Sequence, residues 1–195
     1  MFVRLWPYRI LKRDDDDIRD DLRNIMRHFA QKNQTFDMIV FVPNAGKYLS
    51  QLFIEIFDGS FEVNFVTVRR ASTVSKENSL KQIIFKKKWL ADAMRHIDVL
   101  LRLIKYKLGI KQTMVAELLV DFDVRNKSIL VIDDDIATGA TLELVKSVLL
   151  KHGASSVTTA SVSNHFLPDE IKVDYSLYHY ALLRTKNSRD YYATR

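Results

Sequence analysis

The 195-residue chain contains no cysteine, which excludes disulfides, thiolate metal sites and cysteine nucleophiles together. It has only five glycines and three prolines, so each one marks a candidate turn or close backbone contact. No apolar run approaches the roughly 20 residues a membrane helix needs. The start, MFVRLWPYRILKRDDDD, holds no apolar stretch of signal-peptide length and runs into acid, so a soluble cytoplasmic protein is expected. Internal repeats and low-complexity linkers are also missing.

What is present suits one folded domain. A hydrophobic content of 47% with 11% aromatics supplies a core and argues against disorder. The length fits a single core over residues 1–195. A formal charge of +6 is compatible with nucleic acid, anionic lipid or a small polyanion, and does not choose among them.

Along the chain, Ile18, Leu22, Ile25, Met26 and Phe29 recur at helical spacing from Asp15 onward. The preceding acids Asp14 to Asp17 suit a solvated helix start better than a metal site, because consecutive side chains diverge around a helix. Residues Phe36–Val42 form a continuous apolar run, expected of a buried parallel strand; a helix is expected over Tyr48–Phe57 and a second buried strand over Phe61–Val68. A polar break at Ala71–Ser79 precedes a long amphipathic helix expected over Ile83–Leu108. Strands are expected over Met114–Phe122, Ser128–Ile132, Val157–Val162 and Tyr175–Leu183, with a helix over Leu142–Leu150 capped by Gly153. Strands alternating with helices predict an α/β fold, a mainly parallel twisted sheet flanked by helices.

The chemistry concentrates in Ser128-Ile-Leu-Val-Ile-Asp-Asp-Asp-Ile-Ala-Thr-Gly-Ala-Thr141. An apolar strand delivers carboxylates to its carboxyl end, where open α/β sheets bind ligands. The short loop that follows opens a helix, aiming backbone amides and the hydroxyls of Thr138 and Thr141 at one point, an arrangement that favours phosphate. Adjacent carboxylates suit the vicinal hydroxyls of a ribose, directly or through Mg²⁺.

This segment resembles the type I phosphoribosyltransferases, whose signature is an apolar strand, two acids and a loop ending Thr-Gly-x-Thr. The resemblance implies that Asp133 and Asp134 hold the ribose hydroxyls of 5-phosphoribosyl-1-pyrophosphate (PRPP), with Mg²⁺ bound there directly or through water. It assigns the 5-phosphate to Ala137, Thr138, Gly139, Ala140 and Thr141. Pyrophosphate falls to Asn44, Ala45, Gly46 and Lys47, although many members carry two glycines and a basic residue in this loop. Arg69 is the basic residue expected to help; adjacent strand residues face opposite ways, so it and Arg70 do not both serve. The Gly46-Lys47 pair is not a nucleotide P-loop, because the earlier glycine and the following Ser/Thr are missing.

The implied reaction is transfer of phosphoribose from PRPP to a nitrogenous, nucleobase-like acceptor with release of pyrophosphate. Ala137 stands where the 6-oxopurine members carry aspartate, which points away from that acceptor class. Tyr175, Tyr178 and Tyr180 either stack on a base within a hood formed by the chain termini or serve the core. Family members usually place a flexible lid after Arg70; here the piece Ser72 to Ser79 and a helical insertion at about 80–112 stand instead. That insertion carries eight basic residues between Lys86 and Lys111 against Asp92 and Asp98. It is expected to pack on the domain or on a second copy in a homodimer, with RNA or a membrane surface as alternatives. The rival reading is a PRPP- or nucleotide-sensing regulator on the same fold that lacks transfer chemistry.

Overall fold

The computed structural model describes residues 9–42, 46–70, 116–136, 139–165 and 173–185. The expected lid and basic helix lie outside the described residues. The chain divides into two compact units, Met1–Thr67 with Leu118–Arg195, and Val68–Glu117.

The first helix, α1 (Asp15–Gln31), is set by its caps and its apolar stripe. Asp14 accepts from the Asp17 amide while the Asp17 carboxylate accepts from the Asp14 amide, a reciprocal capping box. At the other end Asn33 adopts φ +56°, and the amides of Asn33 and Gln34 close back onto Ala30 and Phe29. Between the caps Ile18, Leu22, Ile25 and Phe29 are buried.

Five parallel strands form the main sheet in the order β3-β2-β6-β7-β8: β2 (Met38–Phe41), β3 (Glu62–Phe65), β6 (Ser128–Ile136), β7 (Ser156–Asn164) and β8 (Tyr175–His179). Helix α2 (Gly46–Phe57) joins β2 to β3, and α3 (Ala140–Lys151) joins β6 to β7. These two crossovers leave the centre in opposite directions, so right-handed connections put α2 and α3 on opposite faces. Ile39, Phe41, Leu130, Ile132, Ala160 and Val162 pack with the apolar stripes of α1 and α2 in one buried core. Leu142, Val145 and Leu149 are the buried residues of α3. Two smaller sheets complete the described strands: β1 (Arg9–Arg13) beside β9 (Ala181–Thr185), in parallel register, and β4 (Thr67–Arg70) beside β5 (Ala116–Leu119).

Three expected strands differ from those observed. The run Phe61–Val68 changes sheet at buried Val66, whose amide donates to the Phe41 carbonyl. Residues 175–183 break at Tyr180, where φ is +52° and the ladder cannot continue. Strand β6 runs on through the acids to Ile136, because β7 is also nine residues long and pairs with it as far as Asn164.

Candidate functional site

The main sheet reverses its winding between β2 and β6, and the carboxyl ends of strands flanking such a reversal form a crevice. Pairing of β2 with β6 stops at Phe41 and Ile132, whereas β6 continues beside β7 through Asp133, Asp135 and Ile136. The acids therefore stand beyond the end of β2. Side chains alternate along a strand, so Asp133 and Asp135 share one face and Asp134 takes the other.

Asp133 is 9% exposed, and its Oδ1 accepts the Asp134 amide at 2.9 Å. Burial, then the neighbouring Asp134 charge, raise its carboxyl well above the usual range. Asp134 is pushed up to about 6, by burial first and by the charge of Asp135 second. Among the described residues no basic side chain forms an ion pair with either one. Two crowded carboxyls with no described cation favour a ligand that brings positive charge or hydroxyl donors.

Past Ile136 the chain turns into α3. Gly139 is its N-cap, with φ +73° and ψ −9°, and makes no side-chain cap hydrogen bond. A left-handed residue here belongs to glycine, since a Cβ would strain the turn. The contrast with α1 is chemical: Asp14 occupies one start, while the other leaves its first amides without a side-chain acceptor from the cap. Gly139, Ala140 and Thr141 are all partly exposed.

The upstream loop is only partly described. Gly46 and Lys47 open α2, with Lys47 exposed and Gly46 buried. A Cβ on Gly46 would lie 3.4 Å from both the carbonyl carbon and the Cβ of Phe41, in close van der Waals contact with β2. Asn44, Ala45, Ala137 and Thr138 lie outside the described residues. Arg69 sits on β4, within the second unit, and its side chain is likewise outside the described set.

One constellation had no sequence reading of its own. Asp135, third in the acidic run, meets Ser163 and His165: Ser163 Oγ donates to its Oδ1, and His165 Nε2 lies 2.8 Å from its Oδ2. The three are brought together by cross-strand register, which the sequence does not display.

Phosphoribosyl transferase domain is the family whose model matches residues 15–166. The chain belongs to the phosphoribosyltransferase family. Solved structures agree on the fold. A purine phosphoribosyltransferase from Pyrococcus horikoshii aligns over 89% of this chain and 91% of its own, with a TM-score of 0.54 at 13% identity. A hypoxanthine phosphoribosyltransferase from Staphylococcus aureus covers 85% and 74%, with a TM-score of 0.53 at 14% identity. A hypothetical protein from Neisseria gonorrhoeae with bound ppGpp covers 97% and 98%, with a TM-score of 0.56 at 12% identity. No curated protein sequence matches the chain at a significant level. The expected α/β architecture is thus the phosphoribosyltransferase fold, with its parallel five-stranded sheet flanked by helices.

Among the described residues no group of three or more His, Asp or Glu side chains is arranged to hold a metal ion alone. Mg²⁺ keeps most of its waters and binds through one or two carboxylates plus substrate oxygens. The donor chemistry of Asp133 and Asp134 fits this shared mode of binding. No described helix is long and apolar enough to cross a membrane.

Proposed function

We propose that this phosphoribosyltransferase binds PRPP with Mg²⁺ and transfers its phosphoribose to a nitrogenous acceptor, releasing pyrophosphate. One observation carries the reading: buried Asp133 and half-buried Asp134, with no basic partner among the described residues, stand just before a glycine-started helix at the sheet's reversal point. Asp133 and Asp134 take the ribose hydroxyls and the ion; residues 137–141 take the 5-phosphate through amides and the hydroxyls of Thr138 and Thr141. Pyrophosphate is assigned to residues 44–47 and Arg69. Mg²⁺, when bound, neutralises charge that builds on the leaving pyrophosphate. The protein's own part is orientation and electrostatic stabilisation by fixed amides and side chains. The β1–β9 pair is assigned as the hood; in its support, β9 packs against β7 and against β6, the strand whose carboxyl end carries the acids.

A second reading, nucleotide binding without transfer, draws on the Neisseria protein solved with bound ppGpp, which spans nearly this whole chain. One pair of measurements separates the two. Pyrophosphate release is followed with PRPP, Mg²⁺ and a panel of nucleobases including adenine and 6-oxopurines, while calorimetry measures PRPP binding. Transfer predicts release with at least one acceptor. Mg²⁺-dependent PRPP binding with no working acceptor selects the regulator. Unchanged binding by the double variant Asp133→Asn, Asp134→Asn overturns the site itself.

A further inference from the structure

Asp135 has no part in the assignment above, yet both its oxygens are engaged. The β6–β7 register sets Ser163 directly opposite Asp135, so the two side chains share one face of the sheet. Ser163 is 0% exposed and His165 6% exposed, and they reach the two oxygens of the same carboxylate. Asp135 itself is only half-buried, its side chain 19% exposed. Backbone contacts reinforce the same junction: the His165 amide donates to the Ile136 carbonyl at 3.0 Å, carrying the pairing one step beyond Asn164.

The tip of β6 needs this support. On the β2 side the ladder ends at Phe41 and Ile132, followed by one contact from the Val42 amide to the Ile132 carbonyl. Among the described residues, Asp133 to Ile136 are therefore laddered only to β7. A strand end held from one side opens locally at low cost. Two side-chain contacts onto Asp135, from Ser163 of β7 and from His165 just beyond it, oppose that opening where Asp133, Asp134 and Gly139 must be held.

We propose that Asp135, braced by Ser163 and His165, is a positioning residue that fixes the β6 tip and with it the ligand-binding geometry of Asp133, Asp134 and the Gly139 turn. Its ligand half rests on the PRPP reading; its structural half does not. A competing role would be purely electrostatic, with Asp135 serving as a third negative charge toward a cation. The two roles differ in what an amide does at this position. The substitution Asp135→Asn keeps an oxygen for Ser163 and offers a donor to His165 in its other tautomer, but loses the charge. The substitution Asp135→Leu keeps similar bulk and loses the brace.

The test compares Asp135→Leu and Asp135→Asn in the full chain by two measurements. Hydrogen–deuterium exchange of the ligand-free protein reads the tip, and calorimetry with PRPP and Mg²⁺ reads the site. For Asp135→Leu, exchange at the amides of residues 133–136 and 165 should rise roughly tenfold or more, and PRPP affinity should fall about 10–100-fold, the usual range for lost supporting contacts. For Asp135→Asn, tip exchange should stay native and affinity should change far less. A folded Asp135→Leu protein with native tip exchange overturns the brace. So does an Asp135→Asn protein with a native tip and affinity as low as that of Asp135→Leu, which would assign the effect to charge. If the native chain binds no PRPP, the functional reading fails and the exchange arm still decides the brace. Should Asp135→Leu not fold, Ser163→Ala and His165→Phe each remove one side; absence of faster tip exchange in both overturns the proposal.

Discussion

At the scale of single residues, the acids at the β6 tip hold a conflict between stability and binding. Asp133 and Asp134 both take up protons more readily than free carboxyls, because burial and the charge of the next acid disfavour their ionised forms. For Asp134 stability therefore falls as pH rises from the free carboxyl value of 3.8 to about 6, and above that the ligand-free protein carries the full cost. Asp134→Asn removes that cost. Its expected outcome at neutral pH is a higher thermal midpoint, by about 2–4 °C for each kcal/mol regained in a chain of this length. The same substitution should weaken PRPP binding roughly tenfold or more, since a charge-assisted acceptor worth about 1.5–3 kcal/mol is lost. Calorimetric melting and titration of one variant check both halves; a lower midpoint would show that the crowded carboxylate stabilises the fold. Gly139 is the second such residue. With φ at +73°, alanine there should cost about 1–2 kcal/mol of stability.

Elements are joined by contacts that no single segment announces. Arg13 of β1, Asp21 of α1 and Tyr178 of β8 meet in a mostly buried cluster. The Tyr178 hydroxyl donates to Asp21 Oδ1 at 2.8 Å, Arg13 donates to the same hydroxyl, and Arg13 Nε lies 3.3 Å from Asp21 Oδ2. The guanidinium also sits 4.7 Å from the centre of the Tyr178 ring. Burial, then the hydrogen bond to Asp21, push the Tyr178 phenol up to about 12. An unfolded tyrosine titrates near 10, so the stabilisation is fully present below about pH 10 and is lost as pH rises through about 12. Tyr178→Phe should therefore lower stability by about 1–3 kcal/mol at neutral pH and flatten the alkaline loss of stability. Urea unfolding across that pH range is the check; an unchanged alkaline limb would mean that this tyrosine is not its source. The cluster also explains why Tyr178 reads as a core and network residue among its described contacts.

For the whole molecule, ligand binding and folding are one linked equilibrium. If the β6 tip and the start of α3 form the PRPP site, PRPP with Mg²⁺ at 100 times its dissociation constant should add about 2.7 kcal/mol to stability. That corresponds to a rise of roughly 5–11 °C in thermal midpoint for a chain of this size. The double variant Asp133→Asn, Asp134→Asn should show no such rise. A full shift in that variant would place the ligand elsewhere on the molecule.

The sequence by itself determined the local choices: where α1 starts, through Asp14 and Asp17, where α3 ends, at Gly153, and which strands are buried, through unbroken apolar runs such as 36–42 and 128–132. These are written in neighbouring residues, because capping, backbone freedom and hydrophobic period act over a few positions. The acid pair and the Thr-Gly-Ala-Thr loop were legible for the same reason. Tertiary structure decided the rest. Arg9–Arg13 becomes a strand only because Ala181–Thr185 lies beside it, 172 residues away in register. Strand β6 carries three acids within its ladder only because β7 matches its length, with Ser163 and the following His165 meeting Asp135. Pairing of that kind is settled by the partner strand, and one strand's own residues do not encode which partner arrives or in what register.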